Sequence, residues 1–147
     1  MKKPLEAYIL VRMIRGIGVD MVAVARLEGA MRRWGERFMR RVFTPRERAQ
    51  VMSSPFPVEG LAARFAAKEA FLKALGKGLF EIPFIDIEVV REQRGRPFFV
   101  LHGRAREVVP SGIRIHLSLS HDAGMAIAFV VLEGGDEACD RRGNERA

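Results

Sequence analysis

At 147 residues, 48% of them hydrophobic and 29% charged, the chain is long enough for one globular domain with a real core. A net charge of +7 and a pI near 10.5 call for an anionic partner: nucleic acid, a phosphorylated small molecule or an acidic protein. The single cysteine, Cys139, excludes an internal disulfide and a cysteine zinc cluster, and no stretch nears the roughly 20 apolar residues of a membrane span. A reducing, cytoplasmic setting with no membrane partner is expected.

Met1 to Arg12 superficially resembles a signal peptide, but its apolar run is short, Arg12 breaks it, and no small-residue cleavage site follows. It is read as an N-terminal extension over 1–12. Met13 to Val19, MIRGIGV, reads as a strand in which Gly16 and Gly18 permit a bend or close backbone approach. Asp20 ends that run, and Val24, Leu27, Met31 and Trp34 then mark a helix. Asp20 has two readings, a helix N-cap or a metal ligand at the carboxyl end of a strand. Pattern alone favours the cap, a very common role for Asp.

Arg32 to Arg48 carries seven arginines against Glu36 and Glu47. This is a solvated helical face or a docking surface for something acidic. Within it, Thr44, Pro45 and Glu47 form a helix start with a capping box, an architectural signal. Ser53 to Gly60, SSPFPVEG, reads as a loop. Leu61 to Leu79 follows as the best helix in the chain. Leu61, Phe65, Leu72 and Leu75 mark its apolar stripe, and Gly76 and Gly78 lie where a C-terminus favours glycine. Beside the stripe, Glu69 and Lys73 share a face, and Arg64 and Lys68 form a second four-apart pair. A carboxylate beside an ammonium with two further cations suits a metal-bridged phosphate. The same spacing also makes an ordinary surface ion pair, worth only about 0.3–0.5 kcal/mol and far commoner.

Beyond Leu79 the period changes from helical to alternating. Ile85 to Val90 and Phe98 to His102 read as a hairpin around Gln93–Pro97. Ala105 to Val109 reads as a short helix, and Ile113 to Ser120 alternates as a strand. His121 to Gly124 reads as a turn, and Met125 to Leu132 as a buried strand. From Gly134 the chain has almost no apolar residues and reads as a disordered tail over 134–147. The whole is α+β, with early helices packed on an antiparallel β-meander in one domain over 13–133.

Three blocks in fixed order, GIGVDMVAVARLE (Gly16 to Glu28), FAAKEAFLKALGKG (Phe65 to Gly78) and LSLSHDAG (Leu117 to Gly124), resemble the holo-acyl-carrier-protein synthases, the small class of 4′-phosphopantetheinyl transferase. FTPRE (Phe43 to Glu47) and Gly95-Arg96-Pro97 also match. The resemblance implies the 4′-phosphopantetheinyl transferase fold. It implies Mg²⁺-dependent transfer of 4′-phosphopantetheine from coenzyme A to a serine of apo-acyl carrier protein, with adenosine 3′,5′-bisphosphate released, in fatty acid biosynthesis. A homotrimer with active sites at subunit interfaces is implied as well. Carried over by position, Asp20 and Glu69 are the metal carboxylates, and Glu69 and Lys73 are the catalytic pair. Arg64, Lys68, Gly95, Arg96, Pro97 and His121 are contacts for coenzyme A, and Arg26 docks the acidic carrier. The arginine-rich stretch after Arg26 then makes sense as a steering surface.

A basic nucleic-acid module is the reading from another class, favoured by the pI and the arginine run. Phe98 and Phe99 are adjacent and face opposite sides of a strand, so no stacking platform forms there, and no zinc ligands appear. That reading also leaves Asp20 and Glu69 without a role, so no specific nucleic-acid partner is expected. An inactive carrier adaptor is the third reading, and intact Asp20, Glu69 and Lys73 argue against it.

Overall fold

The computed structural model describes residues 12–134, so most of the N-terminal extension, the tail and Cys139 lie outside the described residues. In chain order the elements are β1 (Met13–Ala23), α1 (Val24–Val42), α2 (Pro45–Met52), α3 (Pro57–Ala74), a 3₁₀ turn (Phe84–Asp86), β2 (Ile87–Arg91), β3 (Pro97–Leu101), α4 (Gly103–Val108), β4 (Arg114–Asp122) and β5 (Met125–Gly134). The α+β class holds. The strands form two antiparallel sheets, a three-stranded one in the order β1-β5-β4 and the hairpin β2-β3. The N-terminal strand thus closes the sheet begun by the last hairpin. In that hairpin Ala123 and Gly124 make a two-residue turn with φ of 48° and 75°. Its Gly124 carbonyl accepts the Val24 amide at 2.9 Å, which ties the start of α1 to the sheet.

The core lies around α3. Eleven of its eighteen residues are buried, including Leu61, Phe71, Leu72 and six alanines, so it is covered on nearly every side. A single apolar stripe was the expectation. The alanines are short enough to let neighbours approach all round. The helix also starts earlier than expected, because Pro57 occupies its first turn and takes Val58 to Gly60 out of the loop. Leu75 caps its other end, and Gly76 follows at φ 69°. Gly76 N–H donates to Lys73 O and Lys77 N–H to Leu72 O, the paired bonds of a Schellman ending. Gly78 lies beyond it.

Three further expectations change. β1 runs on through Asp20 to Ala23, and Ala23 precedes α1 with no side-chain cap, so Asp20 is a strand residue and not an N-cap. α1 breaks at Gly35 (φ 57°, ψ −141°), just after Trp34. β5 alternates between buried and open positions instead of being buried throughout, and β4 keeps His121 and Asp122 within the strand. The Thr44 capping box is present in full, with Glu47 as its reciprocal partner.

Candidate active site

The site is built by the contact of β1 with α3. A Cβ on Gly16 would stand 2.0 Å from the Ala74 carbonyl oxygen, and one on Gly18 would stand 1.8 Å from that of Ala70. Only glycine admits the helix backbone so close, which decides the two readings of Gly16 and Gly18 for close approach. Strand periodicity puts Gly16, Gly18 and Asp20 on the same face. Asp20 therefore faces α3 at the level of Glu69 and Lys73. Lys73 Nζ donates to Val19 O at 3.0 Å and to Asp20 Oδ1 at 3.2 Å.

The two carboxylates are uncomfortable together. Burial pushes Glu69 up to about 7, and a hydrogen bond with Asp20 and the repulsion of its charge push the same way, against Lys73 and Arg26. Asp20 Oδ2 is buried without a partner. A partly buried glutamate beside an aspartate whose side chain is 11% exposed and carries an orphaned oxygen is what a hard cation would relieve. Among the described residues no third His, Cys, Asp or Glu completes a cage. Two carboxylates suit Mg²⁺, which keeps several waters and takes its remaining oxygens from phosphate.

The other expected site residues divide. Arg26 is exposed on α1, and its charge is felt at Glu69, so it stands at the rim of the site. His121 lies near the end of β4, in register with Ala126 and, across β5, with Val22. Its ring meets Phe56, just before α3, at 5.9 Å between centroids. Gly95, Arg96 and Pro97 form the tip of the β2-β3 hairpin, with Gly95 at φ 85°. Beside that tip the hairpin is held by Gln50, whose side-chain Oε1 accepts from Arg91 N–H and Arg64 Nη2.

Arg64 and Lys68 are corrections. Both are buried and turned into the fold. Lys68 Nζ donates to Val42 O, to Glu47 Oε1 at 2.7 Å and to Phe84 O at 2.9 Å, using all three of its protons. Arg64 donates to Val89 O, Gly60 O and Gln50 Oε1 at 3.1–3.3 Å. Lys68 thus has no proton left for a phosphate, and Arg64, with three of its five N–H groups bonded inward and 2% of the residue exposed, does not face one. Glu47 does more than close the capping box of α2. Its carboxylate also accepts the Val89 amide at 3.1 Å, so it joins α2, α3 and β2.

Residues 16–130 match the family described as the 4′-phosphopantetheinyl transferase superfamily, and the chain belongs to it. Its relatives there are holo-[acyl-carrier-protein] synthases. That of Halothermothrix orenii is 50% identical over 125 residues, covering 84% of this chain and all of the relative. The solved synthase of Bacillus anthracis, in complex with CoA (3′,5′-ADP), is 38% identical with a TM-score of 0.68, covering 83% of this chain and 98% of that one. The Neisseria meningitidis synthase is likewise 38% identical, at a TM-score of 0.73 over 82% and 98% of the two chains. The chain is accordingly an enzyme, a transferase of the holo-[acyl-carrier-protein] synthase type. Among the described residues no helix is long and apolar enough to cross a membrane.

Proposed function

We propose that this chain transfers 4′-phosphopantetheine from coenzyme A to a serine of an acidic apo-acyl carrier protein, in fatty acid biosynthesis, with Mg²⁺ held by Asp20 and Glu69. The observation that carries the reading is the orphaned Asp20 Oδ2 beside a Glu69 whose carboxyl is pushed up to about 7. Bound Mg²⁺ would neutralise charge on the diphosphate and raise the electrophilicity of the attacked phosphorus. The remaining work falls to side chains. The carrier serine hydroxyl attacks the phosphorus nearer the pantetheine. The bond from that phosphorus to the bridging oxygen breaks, and adenosine 3′,5′-bisphosphate leaves with the bridging oxygen. The serine proton passes through one water to Glu69. Lys73 is one helical turn from Glu69 with its ammonium already at Asp20, and it offsets the charge gathering on the departing phosphate.

Arg26 sits at the rim and leads into exposed Arg32, Arg33, Arg37, Arg40 and Arg41 on α1, a surface that steers an acidic carrier toward the site. The hairpin tip at Gly95-Arg96-Pro97 serves the adenosine pocket of a neighbouring subunit in a homotrimer. The apolar outer face of the three-stranded sheet supports that assembly. A cytoplasmic location fits these substrates.

The test is the intact mass of an apo-acyl carrier protein after incubation with the chain, coenzyme A and Mg²⁺, beside an EDTA control. A gain of one phosphopantetheine that EDTA abolishes is expected. No gain across several carriers would overturn the reaction, and a gain undiminished by EDTA would overturn the metal requirement.

A further inference from the structure

Phe56 is an aromatic residue with a pinned backbone and an open side chain. It stands between Pro55 and Pro57, and the proline that follows keeps it out of the helical region, at φ −127° and ψ 70°. Its amide donates to Ser54 Oγ at 3.1 Å, and its carbonyl accepts the Gly60 amide at 3.0 Å. Its side chain is nevertheless outside the core, and the residue is 55% exposed. A large apolar ring left in water is a poor use of sequence for stability and a good one for stacking, because the pinned backbone leaves only two side-chain torsions to be ordered on binding. Its ring neighbour is His121.

The position is informative. Asp20 pairs with Ala128 and, across β5, Leu119 pairs with Ala128, whereas His121 lies two residues farther along β4. Two strand spacings and two residues separate Asp20 from His121, about 12 Å by ordinary sheet dimensions. That is the span of one nucleotide, from its 5′-phosphates to its base. A diphosphate at Asp20 and Glu69 therefore leaves its adenosine at His121 and Phe56. The carrier, by contrast, is drawn to the arginines of α1.

We propose that Phe56 is a binding residue for coenzyme A, a platform on which the adenine ring stacks beside His121. The proposal rests on the coenzyme A reading above. Stacking of a base on an aromatic side chain is tolerant of ring substitution and lost with the ring.

The experiment uses the full chain and two probes, adenosine 3′,5′-bisphosphate and coenzyme A. By calorimetry Phe56→Ala is expected to weaken both about tenfold or more, and Phe56→Tyr to bind nearly as the unaltered protein does. In transfer assays Phe56→Ala raises KM for coenzyme A and leaves KM for the carrier unchanged. Proton NMR of bound adenosine 3′,5′-bisphosphate supplies a readout that packing alone would not move. The adenine H2 and H8 signals shift upfield under the Phe56 ring current, and Phe56→Ala abolishes the shift. Normal binding by Phe56→Ala, or no ring-current shift in the unaltered complex, would overturn the stacking role alone. An unaltered protein that binds neither probe would overturn the stacking role and the coenzyme A reading together.

Discussion

Glu69 carries the sharpest chemical signature of any single residue. With no cation present it holds its proton up to about pH 7, because burial and then Asp20 disfavour its charge. An unfolded chain releases that proton near the ordinary glutamate value. Between the two values the folded state binds more protons than the unfolded state, so metal-free stability falls as pH rises through this window. A cation at Asp20 and Glu69 reverses the penalty. Mg²⁺ should therefore raise Tm more at pH 8 than at pH 6, a difference readable by thermal unfolding with and without EDTA. Glu69→Gln should lower transfer by at least 10²-fold, the scale of one lost proton-transfer group. It should also leave metal-free Tm at pH 8 equal to or above that of the unaltered protein. Retained transfer would remove Glu69 from the chemistry, and a lowered Tm would make it a structural residue.

At the scale of elements, the decisive contact is α3 on β1. A methyl group on Gly18 cannot coexist with the Ala70 carbonyl at 1.8 Å, so the helix must lift or the strand must bend. Overpacking of this kind costs about 1–3 kcal/mol, and here it also draws Asp20 away from Lys73. Gly18→Ala should lower the denaturant midpoint and the transfer rate together, and an unchanged midpoint would show that the contact is slack. The sequence left this contact half legible: two glycines spaced by one residue in a short strand call for a bend or a close approach, but they do not say which, nor that α3 is the element that approaches. The Thr44 capping box was legible in full, since both its partners lie within four residues. The fate of Arg64 and Lys68 was not. Helical spacing sets them beside Glu69 and Lys73, but it cannot show that α3 is enclosed on nearly every side. Nor can it show the partners of Lys68, which come from the end of α1, from α2 and from the turn before β2. Lys68→Met should cost about 3–5 kcal/mol in urea unfolding, because it strands the Glu47 charge in the core. Pairing it with Glu47→Gln should recover part of that loss. No recovery would mean that the Glu47 contacts to Thr44 and Val89 dominate.

For the whole molecule, the three-stranded sheet has one face too many. Its inner face is filled by α3. On its outer face Ile17, Val19 and Met21 of β1 lie beside Val131, Phe129 and Ile127 of β5 in register. Five of these six are between 40% and 62% exposed. Neighbouring apolar side chains on adjacent strands make a continuous patch, not scattered surface residues, and such a patch marks an interaction face. The corresponding residues of β4, His116, Ser118 and Ser120, are polar, so the patch ends at β5. This asymmetry was hidden in the sequence, where the nearly unbroken apolar run of β5 reads as a strand buried on both sides. The same run is explained if other copies of the chain cover its second face. Phe129 lies at the middle of the patch, with Val19 on one side and Ser118 on the other. Phe129→Arg would set like charges against one another around a closed assembly while leaving the inner core untouched. If the proposed trimer uses this face, the variant should sediment as a monomer at an unchanged far-ultraviolet spectrum. In the proposed trimer transfer should fall with assembly, because the Gly95-Arg96-Pro97 tip would no longer reach a neighbour's adenosine pocket. A variant that stays trimeric would move the interface elsewhere. A monomer with full transfer would show that each chain holds a complete site.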